Sequence, residues 1–241
     1  MRTNANHVNS TGAGSDQPGK KEQLIEVAVF LFLIVPSLAL SFSIIRAGSL
    51  GFVLTAITTI LRDLSLVSLI LFFIWHNRES ADRIGWTFKN SWRDVVLGIA
   101  LFVPVFFAAG LLEQVLRAVG LSAPSMRLPS FLVARGLAEY LLALVLVVIV
   151  AIAEETIFRG YLILRFNAIT ANPVAAVLLS AAIFSIGHGY EGSAGIITVG
   201  VIGAIFATVY LWRQSLVAPI VMHFLQNFIG IVLLPLFGRG S

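Results

Sequence analysis

The chain has 241 residues, of which 58% are hydrophobic and 12% are charged, and its net charge is +4. Soluble domains carry about 25% charged residues, so the composition excludes an ordinary soluble fold and indicates a membrane protein. The absence of cysteine excludes disulfides, thiolate metal sites and a cysteine nucleophile.

Taken in chain order, the sequence begins with a polar segment and continues with a series of apolar ones. Residues 1–23 are rich in Asn, Ser, Thr and Gly and are expected to form a disordered tail. Residues 24–237 are long enough for about seven membrane spans, or six to eight, in a single domain. The sequence therefore predicts an all-α, polytopic transmembrane helix bundle. The expected spans are residues 24–45, 51–75, 95–116, 131–166, 174–188, 194–212 and 216–237.

The distribution of lysine and arginine predicts the orientation. Ten of these residues fall on the side of the N-terminus and five on the other side. Because positive loops stay in the cytoplasm, we expect a cytoplasmic N-terminus and a site that opens towards the cytoplasm. The short asparagine-rich tail and the small size of the chain favour a prokaryotic plasma membrane as the location. The lipid bilayer is thus one expected partner, and nucleic acid is not.

Charged residues interrupt two of the apolar spans. The Arg62-Asp63 dipeptide in the second span is expected to pair internally, to pair with a neighbour, or to break the helix. Glu154 and Glu155 follow a nearly uncharged segment in the fourth span. A charge near the bilayer centre costs at least about 2.5–3.5 kcal/mol, so such residues are candidates for function.

The spacing of the charges assigns different roles to the two glutamates. Glu155 and Arg159 are four residues apart and can pair on one helix face. Glu154 points elsewhere, and the turn after this helix places it at a depth within about 3 Å of His188. A carboxylate facing an imidazole can hold a water molecule and take its proton. The alternative is a structural role for these residues. Both glutamates would then be structural at the membrane–water boundary, and His188 would be an interior histidine whose hydrogen bonds are satisfied.

His223 and Asn227 lie four residues apart in the last span. Two donors on one helix face suit an oxyanion hole for amide hydrolysis. The same spacing also suits two metal ligands, or simple hydrogen bonding between helices.

The three motifs together resemble the CPBP family of CaaX proteases and bacteriocin-processing proteins, also called Abi. They are Glu-Glu-x-x-x-Arg at 154–159, Phe-x-x-x-His at Phe184 and His188, and His-x-x-x-Asn at His223 and Asn227. The resemblance covers about residues 130–235, and the first 130 residues carry no matching motif.

The resemblance implies an intramembrane endopeptidase that acts on a membrane-associated peptide or protein, prenylated or not. Glu154 and His188 would activate water, and His223 with Asn227 would stabilise the oxyanion. Glu155 and Arg159 would support the site, and Phe184 would pack beside His188. We favour a mechanism without a cofactor, while zinc held by Glu154, His188, His223 and Asn227 remains the alternative. A non-catalytic immunity or scaffold protein, and a solute or proton transporter, are the other functions considered.

Overall fold

The computed structural model describes residues 18–46, 51–122 and 130–237. Every regular element in these ranges is helical, which confirms the predicted fold class. Most of the predicted tail, residues 1–17, lies outside the described residues. Seven long helices are present in the described ranges: α1 (Lys20–Arg46), α2 (Phe52–His76), α3 (Ser91–Ala118), α4 (Gly136–Thr170), α5 (Pro173–Ile186), α6 (Gly192–Arg213), and α7, which begins at Val217 and ends at Phe237.

Five of the described helices are long and apolar enough to cross a membrane, namely α2, α3, α4, α6 and α7, whereas α5 is shorter. Their outer surfaces expose large apolar side chains, with Phe107 71% and Leu137 77% exposed. Such a surface is stable against lipid and unfavourable in water. The chain is therefore an integral, multi-pass membrane protein.

Several helix boundaries differ from those predicted. Helix α1 begins at Lys20, before the predicted span. A short 3₁₀ turn, Ser130–Leu132, replaces the expected start of the fourth helix, which begins instead at Gly136, where φ is +79°. Because an α-helix cannot continue in the N-terminal direction through a residue at positive φ, the backbone at this glycine sets the boundary. Helix α2 continues unbroken through Arg62 and Asp63.

Helices α4 and α7 contain π-helical segments that the sequence did not predict. In α4 the segment is Glu155–Leu162, directly after Glu154, and in α7 it is Phe228–Leu233, directly after Asn227. π-helical turns are rare and occur often at functional sites, because they change the direction in which side chains project. Both segments adjoin residues of the predicted site.

Contacts between helix ends define the two ends of the bundle. At the first end, Arg165 of α4 forms ion pairs with Glu26 of α1 at 3.0 Å and with Glu79, just after α2, at 2.6 Å. At the second end, the Ser122 and Ser193 side chains, which follow α3 and begin α6, lie 3.0 Å apart. The connection between α5 and α6 therefore lies at the second end, opposite the start of α1.

Candidate active site within the membrane helices

The centre of the site is the carboxylate of Glu155, which is fully buried. Its Oε1 accepts a hydrogen bond from Arg159 Nη1 at 2.8 Å, and it lies 2.7 Å from His223 Nδ1. A carboxylate whose charge is paired with arginine can only accept, so the His223 Nδ1–H donates to it. Glu155 thus joins α4 to α7 and fixes the orientation of the His223 ring.

Arg159 is held on its other side by aromatic rings. Its guanidinium carbon lies 4.3 Å from the centre of the Phe184 ring and 5.4 Å from that of Phe206. Cation–π contacts of this kind stabilise a desolvated cation. Gly203 of α6 makes room for the arrangement, because a Cβ there would lie 3.2 Å from Phe184 and 3.5 Å from Arg159 Nη2.

Phe184 also contacts His188, as the sequence predicted, with 4.7 Å between the ring centres. His188 itself lies just beyond the end of α5, not within the helix as predicted. Its Nδ1 is 3.0 Å from the Phe184 carbonyl oxygen. Since a carbonyl accepts only, Nδ1 carries the proton, and the Nε2 of the neutral ring is left as an acceptor. This is the form that a general base or a water-binding group requires.

Glu154 lies beside His223 and not opposite His188. Its Oε2 is 3.7 Å from His223 Nε2, and its Oε1 is 3.9 Å from Arg62 Nη2. Within the described ranges, no hydrogen bond or ion pair joins Glu154 to His188. The prediction that these two side chains face each other came from equal depth along adjacent helices. Depth does not fix the direction in which a side chain points, and the α4 backbone becomes π-helical immediately after Glu154.

His188, His223 and Asn227 line the same cavity, which has a volume of about 70 Å³. This volume is enough for a bound water molecule. Apolar side chains and the α5–α6 connection form the other walls; the remaining lining residues are Phe184, Tyr190, Glu191, Val199, Ile202, Phe206 and Gln226. Glu154 is not part of the lining, but its Oε2 is buried and makes no hydrogen bond. Among the described residues, this oxygen thus has no hydrogen-bond donor, and its nearest ionisable neighbour is His223 at 3.7 Å.

The position of the cavity bears on the predicted orientation. The cavity borders the α5–α6 connection, which lies at the second end of the bundle. The start of α1 lies at the first end. The cavity therefore lies towards the end of the bundle opposite the start of α1.

A metal ion fits this arrangement poorly. Catalytic zinc takes three protein ligands and leaves one position for water. Among the described residues, no three His, Asp or Glu side chains are grouped closely enough to hold a metal ion. Of the four predicted ligands, Glu154 and His223 lie together, whereas within the described residues no hydrogen bond or ion pair joins His188 to either of them.

Two site residues from α2 were not assigned to the site from the sequence. Arg62 approaches Glu154 and also pairs with Asp63, which is 1% exposed. The position of Arg62 and Asp63 in the middle of an apolar span was the feature of the sequence that indicated a possible role in the site. No motif connected them to Glu154, because the contact joins residues far apart in the sequence.

The buried side chains of Glu155, Arg159 and His223, with the partly buried Glu154 and His188, form a polar site among the helices of a polytopic membrane protein. Residues 136–229 match the family model for the type II CAAX prenyl endopeptidase Rce1-like proteins. The matched segment contains all seven predicted site residues, and the match confirms the resemblance drawn from the motifs. This segment is therefore similar to the CaaX protease family. No curated protein and no solved structure matches the chain.

Proposed function

We propose that this protein is an intramembrane endopeptidase that hydrolyses a peptide bond of a membrane-associated substrate. The observation that carries the proposal is the arrangement around His223. One ring nitrogen is fixed by the buried Glu155, and the other faces the unpaired carboxylate oxygen of Glu154. The family match supports a membrane protease, and the geometry supports hydrolysis by activated water.

In the proposed reaction, Glu154 is the general base, and His188 Nε2 accepts a second hydrogen bond from the attacking water. Glu154 takes a proton as the water oxygen bonds to the carbonyl carbon of the substrate. The peptide C–N bond then breaks, and the same proton passes to the departing amine. His188 is suited to its role because the Phe184 carbonyl fixes its protonated nitrogen.

His223 and Asn227 are proposed to stabilise the oxyanion. Since His223 Nδ1–H is directed to Glu155, Nε2 can donate a hydrogen bond only when the ring is protonated. Donors held in place before the reaction stabilise developing charge without further reorganisation. Asn227 lines the same cavity and supplies an amide donor.

The apolar lining of the cavity supports the proposal that the substrate is lipid-associated. Val199, Ile202 and Phe206 present an apolar surface on the α6 side. A peptide attached to a prenyl group or to a membrane helix could reach this surface from within the bilayer. We therefore propose a CaaX-type substrate and a single catalytic domain that extends from residue 24 to 237.

The test is cleavage of a quenched fluorescent farnesylated peptide by the purified full-length protein in detergent. Glu154→Gln and His188→Ala should both lose cleavage while keeping the elution profile and melting temperature of the wild type. Glu113→Gln is the matched control, because Glu113 is a helical glutamate outside the site and should retain activity. Activity should also survive a chelator.

Cleavage by Glu154→Gln equal to that by the wild type would contradict the proposal and favour a non-catalytic scaffold. Cleavage that is abolished by the chelator and restored by zinc would overturn the metal-free mechanism while keeping the protease.

A further inference from the structure

Trp86 and Thr156 have no role in the site described above, yet they meet directly beside Glu155. The Trp86 Nε1–H donates a hydrogen bond to Thr156 Oγ1 at 3.0 Å, and the Thr156 hydroxyl donates to the Ile152 carbonyl at 2.7 Å. We propose that Trp86 and Thr156, together with Ser180 of α5, are positioning residues that hold the π-helical segment of α4. Their effect on catalysis rests on the proposed function of the site.

The π-helical segment sets the directions in which the site residues of α4 point. It spans eight residues, Glu155–Leu162, and begins directly after Glu154. A π-helix has more residues per turn than an α-helix, so each residue in it rotates by less than the usual angle of about 100°. A return to α-helical geometry would therefore rotate Glu154 about the helix axis relative to Arg165, which ion pairs hold at the first end of the bundle.

Two buried hydroxyl groups bond to backbone carbonyls of this part of α4. Thr156 is fully buried and donates to the carbonyl four residues earlier in its own helix. Ser180 is 2% exposed and donates from α5 to the Phe158 carbonyl at 2.6 Å. A hydroxyl that bonds to a helix carbonyl competes with the regular backbone donor and bends the helix. Because π-helical turns are rare in regular helices, we infer that these two bonds stabilise the segment.

Trp86 reaches Thr156 because the connection between α2 and α3 enters the bundle at its first end. Ile84, at the end of the 3₁₀ turn Ala81–Ile84, is fully buried. Gly160 of the π-helical segment makes room for it, because a Cβ there would lie 2.6 Å from the Ile84 carbonyl oxygen. The connection thus touches the segment at two points. It lies outside residues 136–229, and so it adds support from the first half of the chain to a site otherwise built mainly from the second half.

Hydrogen–deuterium exchange of the purified full-length protein in detergent tests this support without a substrate. Thr156→Val removes the hydroxyl at nearly constant volume, and Trp86→Phe removes the indole donor but keeps an aromatic ring. Each variant, and Ser180→Ala, should raise exchange about tenfold in peptides that cover Glu155–Leu162, with exchange in α6 unchanged. Thr156→Ser keeps the hydroxyl and should restore the wild-type rate. Unchanged exchange in both Thr156→Val and Trp86→Phe would overturn the proposal.

Thr208 of α6 offers a matched control. Its hydroxyl donates to the Ala204 carbonyl at 2.8 Å, again four residues earlier, but Thr208 is exposed and lies in a regular α-helix. Thr208→Val should therefore leave both exchange in α4 and peptide cleavage unchanged. An equal rise of α4 exchange in Thr156→Val and Thr208→Val would show a general effect of lost hydroxyl groups and would overturn the specific role of Thr156.

Peptide cleavage tests whether the supported segment positions the catalytic groups. Thr156→Val and Trp86→Phe should lower kcat about tenfold to a hundredfold with little change in KM, because displaced groups lose transition-state stabilisation and not substrate binding. Thr156→Ser should restore kcat. Wild-type kcat in variants whose α4 exchange is raised would show a purely structural role and would overturn the assignment of positioning residues.

The two assays together distinguish failure of this inference from failure of the proposed function. Raised exchange in the variants without any cleavage by the wild type would retain the support of the π-helical segment and count against the protease. Cleavage by the wild type, with neither exchange nor kcat altered in Thr156→Val and Trp86→Phe, would retain the protease and overturn the inference.

Discussion

The buried pair of Glu155 and Arg159 should be far more important for stability than an equivalent surface pair. Both side chains are at most 1% exposed, and the ions lie 2.8 Å apart. Their Coulomb attraction is about 6 kcal/mol at an effective dielectric constant of about 20. Desolvation of the two charges offsets much of this attraction. Removing one partner is different, because it leaves the other charge buried and unneutralised.

Each of Glu155→Gln and Arg159→Met should therefore lower the free energy of unfolding by about 3–5 kcal/mol. The double variant should lose less than the sum of the two, because it leaves neither charge unpaired. Reversible unfolding in mixed detergent micelles, followed by circular dichroism, gives the four free energies of the double-mutant cycle.

Glu113 and Arg117 provide the matched control for this cycle. They have the same four-residue spacing and the same order on a helix, but their side chains are 33% and 45% exposed. Breaking this pair should cost about 0–1 kcal/mol, because solvent screens both charges. The reasoning is refuted if the buried pair shows no greater coupling energy than the exposed one.

Three further predictions concern packing and orientation. Gly98→Ala should destabilise the protein by about 1–3 kcal/mol, because the new Cβ would lie 2.8 Å from the Ala218 carbonyl oxygen between α3 and α7. Gly110→Ala, on the same helix, meets nothing within 4 Å and should be neutral or stabilise by up to about 1 kcal/mol in the same unfolding assay. The chain has no cysteine, so Lys89→Cys and Arg135→Cys can report orientation by labelling intact cells with a membrane-impermeant maleimide. A cytoplasmic N-terminus predicts labelling of Arg135→Cys only, and the opposite pattern would place the catalytic cavity at the cytoplasmic side.

The helices and the local pairs were predictable from the sequence because they depend on short-range patterns. Apolar segments indicated the spans, and the four-residue spacing of Glu155 and Arg159 indicated their pairing, which the structure shows at 2.8 Å. His188 was placed inside a helix that in fact ends at Ile186. The glycines on either side of His188 were the local sign that regular helix was ending.

The contacts of Glu154 were not predictable in the same way. Its approach to His223 and Arg62 depends on how α2, α4 and α7 pack side by side, and on the π-helical turn that follows Glu154. Hydropathy and spacing give depth along an axis but not the rotation of one helix against another. The sequence therefore predicted candidate residues for the site, whereas the contacts of Glu154 with other helices could not be predicted from it.

The most direct test of the central claim is mass spectrometry of the products formed in water enriched in ¹⁸O. The purified protein in liposomes is incubated with a farnesylated peptide. The account predicts that the wild type releases a peptide whose new terminal carboxylate carries one ¹⁸O, and that Glu154→Gln releases none. Labelled product formed equally by both proteins would contradict the assignment of Glu154 as the base that activates water.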